Sequence, residues 1–224
     1  MLTSSSWEKI HATNSWGSDT DSASANQLAF IRHHLQEIKG APRDILLLDV
    51  GCGTGGSAIS FAGMGYQVYG VDSSASAIEI AKKKSCENGG GCTFSVADFK
   101  ELPYQSNWFD AIFAQGSLYY GTASDFMDAV SEIYRVMKRG GCLRIYTKSD
   151  RDMWAKVGIP QGDDCYLVDS DNFENGLVVY CPPLEKISTL FSNFSEIKIG
   201  IEEFNYVSLD AKKMHSFWCI TAIK

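Results

Sequence analysis

The clearest hydrophobic pattern along the chain is a run of four apolar residues at positions 45–48 that no polar residue interrupts. Such a run is typical of a strand that is covered on both faces, as in a parallel sheet. Glycines follow at Gly51, Gly53 and Gly55, and residues 54–61 can form a helix. The stretch therefore predicts a strand, a tight turn and a helix, with the first helical amides pointing at a ligand of nucleotide type.

Other apolar runs predict further strands, and the segments between them predict helices. Strands are expected at residues 67–72, 92–96, 108–115, 142–146, 196–207 and 214–223. Helices are expected at residues 76–84, 122–137 and 184–191, and Thr122 with Asp125 resembles a capping box at the start of the second. This alternation of strands and helices predicts an α/β fold.

The length of 224 residues favours a single domain with a proper core. Within it we distinguish four segments by their composition and pattern. They are an N-terminal arm and helix at 1–40, a ligand-binding core at 44–148, an insertion at 149–183 and a C-terminal helix with a strand pair at 184–224.

Charge and composition narrow the classes of partner. A net charge of −7 disfavours a large nucleic-acid surface, which needs clustered basic residues. No apolar run is long enough to span a membrane, and the N-terminus has no secretory pattern. The seven scattered cysteines therefore read as free thiols in a reducing cytoplasm. Whether the chain is a monomer or a homodimer stays open.

The glycine turn by itself suits more than one cofactor. Gly51, Gly53 and Gly56 satisfy the dinucleotide fingerprint, and Asp72 stands where a ribose-binding acid belongs. Asp49 argues against a dinucleotide, because a carboxylate at the end of the strand would repel a diphosphate. S-adenosylmethionine (SAM) has no phosphate and carries a sulfonium and an ammonium, both of which a carboxylate attracts.

Five motifs in register identify a family. They lie at residues 48–55, 68–72, 96–99, 109–115 and 134–141. Over residues 44–148 the chain resembles the class I SAM-dependent methyltransferases, in the small-molecule branch of methyltransferase type 11 and similar to the ubiquinone-biosynthesis C-methyltransferases. The resemblance implies a Rossmann-like, mostly parallel seven-stranded sheet with helices on both faces and an antiparallel C-terminal strand.

Strand ends and the resemblance together give candidate cofactor-binding residues. Asp72 suits the ribose hydroxyls, and in the family an acid at the position of Asp98 accepts from the adenine amine while the next amide faces the ring. The full set is Asp49, Gly51, Cys52, Gly53, Thr54, Gly55, Asp72, Ser73, Asp98, Phe99, Gln115 and Trp16.

Tyr119 and Tyr120 follow the fourth strand and are candidates for contact with a methyl acceptor, although we expect one of them to be a core aromatic. His11 and Tyr119 are the candidates for a general base. The polar N-terminal arm is either loose or a lid in which Trp16 and His11 cover the cofactor.

The acidic insertion at 149–183 is either a solvated segment or a lid whose acids attract a cationic acceptor. No metal site is indicated. The expected activity is SAM-dependent methylation of a small molecule by direct in-line displacement. The alternatives are an NAD(P)-dependent oxidoreductase that uses the same turn and a non-catalytic SAM-binding protein.

Overall fold

A computed structural model describes residues 4–12, 35, 40–208 and 211–224 of the chain. Its strands, in chain order, are Leu46–Val50 (β1), Gln67–Asp72 (β2), Cys92–Val96 (β3), Phe109–Gln115 (β4), Met137–Lys148 (β5), Ile159–Gly162 (β6), Cys165–Leu167 (β7), Val178–Tyr180 (β8), Glu196–Ser208 (β9) and Ala211–Ile223 (β10). Seven of them form one sheet in the order β3-β2-β1-β4-β5-β10-β9.

Strands β1 to β5 pair in parallel, and β10 is antiparallel to both β5 and β9. The predicted mostly parallel sheet with an antiparallel C-terminal part is therefore confirmed. The strand order in the sheet reverses between β1 and β4. The helices that follow these two strands therefore lie on opposite faces of the sheet, which leaves a crevice at the carboxyl ends of β1 and β4.

The helices are Ser4–Ala12 (α1), Gly56–Gly63 (α2), Ala75–Glu87 (α3), Ala123–Val136 (α4), Met153–Val157 (α5) and Leu184–Leu190 (α6). The predicted capping box of α4 is confirmed: the Asp125 amide donates to Thr122 Oγ1 at 3.2 Å, and the Thr122 amide donates to Asp125 Oδ2 at 2.9 Å. Within the described residues, no helix is both long and apolar enough to cross a bilayer.

Helices cover both faces of the sheet because successive side chains of β1 point to opposite faces. Leu47 packs in a cluster with Phe61 of α2 and Ile78 of α3. Leu48 packs in a second cluster with residues of α4 and α6 such as Ile133. Leu47 and Leu48 are both fully buried, which is why the apolar run of β1 has no polar interruption.

The N-terminal helix is anchored to the start of α3 rather than loose. Glu8 Oε2 accepts hydrogen bonds from Ser74 Oγ at 2.9 Å and from the Ser76 amide at 3.2 Å. These bonds, the Ser76 amide above all, lower the pKa of Glu8. Apart from the buried Leu35, the helix expected between residue 26 and Gly40 lies outside the described residues.

The insertion at 149–183 forms α5 and the small antiparallel sheet β6-β7-β8. Two of its acids are buried, so the expectation of a solvated segment is wrong for them. Asp152 is fully buried, and Glu174 accepts hydrogen bonds from the Tyr120 hydroxyl at 2.9 Å and from Trp154 Nε1 at 3.0 Å.

A buried ion-pair network joins the insertion to β5 and β10. Lys148 Nζ lies 3.0 Å from Asp152 Oδ2, which also contacts His215 Nδ1 at 3.2 Å and accepts from the Ser216 amide at 3.0 Å. Burial would raise the pKa of Asp152, but the bond from His215, the Lys148 charge and two amides together hold the pKa below its usual value. The carboxylate is thus kept ionised inside the fold.

We expect Lys148→Met to lower the free energy of unfolding by about 3–5 kcal/mol, because it leaves a buried carboxylate without its cation. The double variant Lys148→Met/Asp152→Asn should recover much of this loss. Urea denaturation at pH 7 measures both. Since the pKa of folded Asp152 is lowered, its stabilisation is present above the ordinary carboxyl pKa of about 4 and disappears as the pH falls through the lowered value.

Lys138→Met is the matched control, because the ion pair of Lys138 with Asp110, 2.8 Å long against 3.0 Å for Lys148 with Asp152, is partly exposed. Its loss should be about 1 kcal/mol or less. Equal losses for the two single variants, or no recovery in the double variant, would contradict the role assigned to the buried pair.

Candidate functional site

A cavity of about 420 Å³ opens at the carboxyl ends of β1, β2 and β4, in the crevice where the strand order reverses. Predicted residues of the first strand and its turn line it: Asp49, Gly51, Cys52, Gly53 and Thr54. Predicted residues from elsewhere in the chain also line it: His11, Asp72, Ser73, Phe99, Gln115 and Tyr119. The topology therefore brings most of the candidate residues to one place.

Two candidates of the cofactor set lie outside the cavity lining. A Cβ added at Gly55 would stand 2.9 Å from the Phe94 ring and 3.0 Å from Ala81, so this glycine allows close packing of the turn. The Asp98 side chain is exposed; Asp98 Oδ1 accepts from the Lys100 amide at 2.9 Å, and Oδ2 lies 3.8 Å from Lys100 Nζ. In this structure Asp98 therefore closes a local turn.

Tyr120 is also outside the lining, as expected for one of the two tyrosines. Its buried hydroxyl donates to Glu174 and its ring packs edge-on against Trp7 at 4.7 Å. Tyr119 lines the cavity. Trp16 lies outside the described residues.

Asp49 is the most unusual group in the lining. Its side chain is 2 % exposed, and Oδ2 has no hydrogen-bond partner among the described residues. Burial raises the pKa of Asp49 well above the usual value, and the nearby Asp72 raises it further, while the Ala58 amide offsets part of the effect. A buried oxygen in this state is ready to accept a hydrogen bond from a cationic ligand.

Gly51 permits the turn to pass against the loop after β4. Its φ is 72°, and an added Cβ would lie 2.2 Å from the Ser117 Cβ. Ser117 is itself held there because Ser117 Oγ donates to the Val50 carbonyl at 2.7 Å. Only glycine fits at position 51 for both conformational and packing reasons.

Gly53 has a different environment. Its φ is 52°, but an added Cβ would meet only the His11 ring, at 3.9 Å, so this position faces the open cavity. The Gly53 amide donates to Asp72 Oδ2 at 2.9 Å, and Asp72 Oδ1 accepts from the Ser74 amide at 2.9 Å. Asp72 therefore ties the glycine turn to the start of α3.

Helix α1 closes one side of the cavity through Trp7 and His11. These two residues are four positions apart, so they share one face of the helix, and the Glu8 bonds to α3 hold that face in place. From the sequence we predicted His11 and Trp16 as the residues of the arm that reach the site. Trp7 was not predicted, although it lies one helical turn before His11.

The end of the cavity away from the glycine turn is aromatic. It is formed by Tyr119, Tyr146, Phe204 and Phe217, which we call the aromatic end. The last three were not predicted. They stand on the neighbouring strands β5, β9 and β10, and only the pairing of these strands brings them together.

Comparison with known proteins agrees with this geometry. Residues 47–141 match the family model described as a methyltransferase domain. Cycloartenol-C-24-methyltransferase 1 of Oryza sativa subsp. japonica is 31% identical over 62% of this chain and 40% of its own length. The crystal structure of a SAM-dependent methyltransferase of Methanosarcina mazei has a TM-score of 0.67 at 20% identity, covering 85% of this chain and 96% of that one. Residues 47–141 thus resemble a methyltransferase domain, and the chain shares the fold of the solved SAM-dependent methyltransferase.

SAM is the cofactor of the methyltransferases that the chain resembles, and a magnesium protoporphyrin IX methyltransferase of Synechocystis with bound S-adenosylhomocysteine (SAH) shares the fold. Its TM-score is 0.60 at 17% identity, over 88% of this chain and 81% of that chain. Since the chain spans about 40% of the length of the rice relative, the similarity concerns the cofactor-binding core. The narrower likeness to the ubiquinone-biosynthesis enzymes stays a prediction.

Of the two candidate bases of the methyltransferase, Tyr119 is poorly suited. Burial raises the pKa of Tyr119 far above its usual value, and the charge of Glu174 raises it further. The phenol therefore stays protonated and acts as a hydrogen-bond donor, its hydroxyl lying 3.4 Å from that of Tyr120. His11 lines the cavity and is the better placed candidate to take up a proton.

Alanine at Gly51 and Gly53 should separate the two roles of the glycine turn. Gly51→Ala should lower the free energy of unfolding by roughly 3 kcal/mol, because it adds a steric clash to an unfavourable φ. Gly53→Ala carries only the conformational penalty of roughly 1 kcal/mol. Urea denaturation measures both.

Ser117→Gly in the Gly51→Ala background is the control, because it removes the atoms that the new methyl group would meet. It should restore part of the lost stability. Equal effects of the two alanines would show that the Ser117 contact does not constrain the turn.

Proposed function

We propose that this protein catalyses transfer of a methyl group from SAM to a small-molecule acceptor. The observation that carries the proposal is the Asp49 carboxyl, buried in the cavity with one oxygen unpartnered. Such a group favours a cation and opposes a diphosphate, so it suits a ligand with an ammonium and a sulfonium. A nicotinamide dinucleotide would place its diphosphate beside Asp49.

The residues present fit SAM. Asp49 would bind a cationic group, and Gly53 would let the ligand approach the backbone closely. Asp72 would accept from ribose hydroxyls; each of its oxygens already accepts one amide bond and retains capacity for a second. Phe99 and Gln115 would flank the adenine-binding part of the cavity. SAM, when bound, supplies a methyl group on a sulfonium, which is an excellent leaving group.

The protein itself must position the acceptor in line with the methyl group and exclude water from the cavity. The acceptor would lie between the glycine turn and the aromatic end, beside Tyr119. His11 would take up a proton if the acceptor must lose one. Trp7 and His11 on α1 would close the cavity from outside, which is the lid function expected of the N-terminal arm.

The acidic insertion does not serve as the lid that the sequence suggested as one alternative. None of its residues, 149–183, lines the cavity, and its buried acids are bound to Lys148, Tyr120 and Trp154. We infer that the segment supports the aromatic end from behind and that the whole chain works as one methyltransferase domain.

We infer a cytoplasmic location, because all seven cysteines are free, as the reducing compartment predicts. The net charge of −7 supports a small acceptor over a nucleic acid. A tRNA or DNA acceptor would require a basic surface, which this composition does not favour.

Isothermal titration calorimetry tests the proposal. SAM should bind, and its affinity should increase as the pH rises through the raised pKa of Asp49, because the carboxyl is neutral below that pKa and a cation favours the ionised form. The binding heat should therefore depend on the ionisation heat of the buffer, which reports the released proton. Asp49→Asn should weaken binding about tenfold or more and remove this dependence.

Two controls accompany the titration. Asp128→Asn, an exposed acid of α4, should leave binding unchanged. Asp49→Asn should melt at a higher temperature than the ligand-free wild type above pH 5, since the raised pKa of Asp49 makes the wild type lose stability as the pH rises. Binding of NADH in place of SAM, or no binding of either, would overturn the proposed function.

A further inference from the structure

The outer edge of the large sheet is long and regular. Strand β9 is the last strand of that sheet, and within the described part of the chain no strand pairs with its outer side. It runs for 13 residues, contains no proline and pairs with β10 along its whole length without a register shift. Proteins usually shorten an edge strand or interrupt it with prolines or bulges, because its amides and carbonyls can pair with another chain. β9 has none of these features.

The neighbouring strand shows which backbone groups of β9 point outward. The Ser149 amide, next to the end of β5, donates to the Ser216 carbonyl of β10 at 2.9 Å. Even-numbered residues of β10 therefore turn their backbone groups to β5, and odd-numbered residues turn theirs to β9, since the direction alternates along a strand. Cys219 lies opposite Gly200 in the pairing of β10 with β9. The even-numbered residues of β9 thus bond to β10, and its odd-numbered residues present their amides and carbonyls at the outer edge.

The side chains around Gly200 are arranged so that they complement a second copy of themselves. Lys198 and Glu202 are both exposed and stand two positions before and after Gly200. When two β9 strands pair antiparallel with Gly200 opposite Gly200, Lys198 of each copy faces Glu202 of the other. Ile199 then faces Ile201, whose side chain is 40% exposed in the single chain. Such pairs stabilise neighbouring strands, and a patch that complements itself is what a two-fold dimer needs.

The hydrogen-bond pattern agrees with this register. Pairing about Gly200 places odd-numbered residues opposite odd-numbered residues, so the outward amides and carbonyls of the two copies meet. A shift of the centre by one residue toward the N-terminus would set Glu202 opposite Glu196. A shift toward the C-terminus would leave Lys198 without an acid opposite. A register that pairs Lys198 with Glu196 would overlap only residues 196–198 of the strand.

The glycine at the centre has no packing role inside the chain. A Cβ added at Gly200 would lie 3.9 Å from the Cys219 Cβ, which is an ordinary contact. Glycine within a strand often marks a place where another backbone approaches closely. A second copy of β9 centred on Gly200 would be such a backbone.

We propose that this protein forms a two-fold homodimer in which residues 196–204 of two β9 strands pair antiparallel about Gly200. The two seven-stranded sheets would then be continuous. Lys198 alone would discourage pairing with an unrelated strand, and Glu202 at the mirrored position favours a second copy of this chain. The same register places Glu196 of one copy opposite Phe204 of the other. Since Phe204 lines the cavity, the interface would reach the aromatic end.

Analytical ultracentrifugation of the full chain tests the proposal, and it is done without SAM, so the result is independent of the proposed function. Between roughly 1 μM and 0.1 mM we expect a concentration-dependent equilibrium of monomer and dimer. Lys198→Glu and Glu202→Lys should each weaken the dimer roughly tenfold or more, because each sets like charges opposite each other twice. An equimolar mixture of these two variants should associate again, because the new acid of one chain then faces the new lysine of the other.

Two further variants serve as controls. Glu79→Lys makes the same charge change as Glu202→Lys on an exposed position of α3, which packs on β2 and β3 at the other end of the sheet, and should dimerise like the wild type. Ile201→Pro removes an amide that points away from β10, so circular dichroism should show a folded chain while the dimer is lost.

A wild type that stays monomeric over the whole concentration range would overturn the proposal. A dimer that neither charge reversal weakens would place the interface elsewhere and overturn it equally. The proposal also fails if the mixture of the two charge variants stays monomeric. If Ile201→Pro does not fold, the mixture decides.

Discussion

A carboxyl group shielded from water at the end of a buried strand is costly unless a partner of opposite charge is present. Asp49 is such a group, and no such partner comes from the described protein residues around its Oδ2. The neighbouring Asp72 makes its ionisation harder still. The glycine turn lies beside this carboxyl, and Trp7 and His11 of α1 line the same cavity.

The fold tolerates the buried Asp49 carboxyl because the segments around it are held in place by several contacts. Strand β1 lies at the middle of the sheet between β2 and β4, and its Leu47 and Leu48 pack on opposite faces. Ser117 fastens the loop after β4 to the end of β1, and Asp72 fastens the turn to α3. Strain and buried charge of this kind are typical of a ligand site rather than of a structural core.

The opposite end of the cavity follows a different principle. There the buried acids of the insertion are bound inside the protein, and the rings of Tyr146, Phe204 and Phe217 pack against one another. The insertion, which has the least regular sequence, thus contributes to the site without lining it.

The strands around the glycine turn, the turn itself, the capping box at Thr122 and the methyltransferase family could be predicted from the sequence, because each depends on residues close together in the chain. Gly51, Gly53, Asp49 and Asp72 fall within one strand–turn–helix–strand unit, so their convergence follows from local pattern and parallel topology. Other features arise from residues more than sixty positions apart, such as the Lys148 contact with His215 and the stack of Tyr146 on Phe217. Only tertiary structure decided these, because a local pattern specifies which face of a strand a side chain takes but not which distant strand lies beside it.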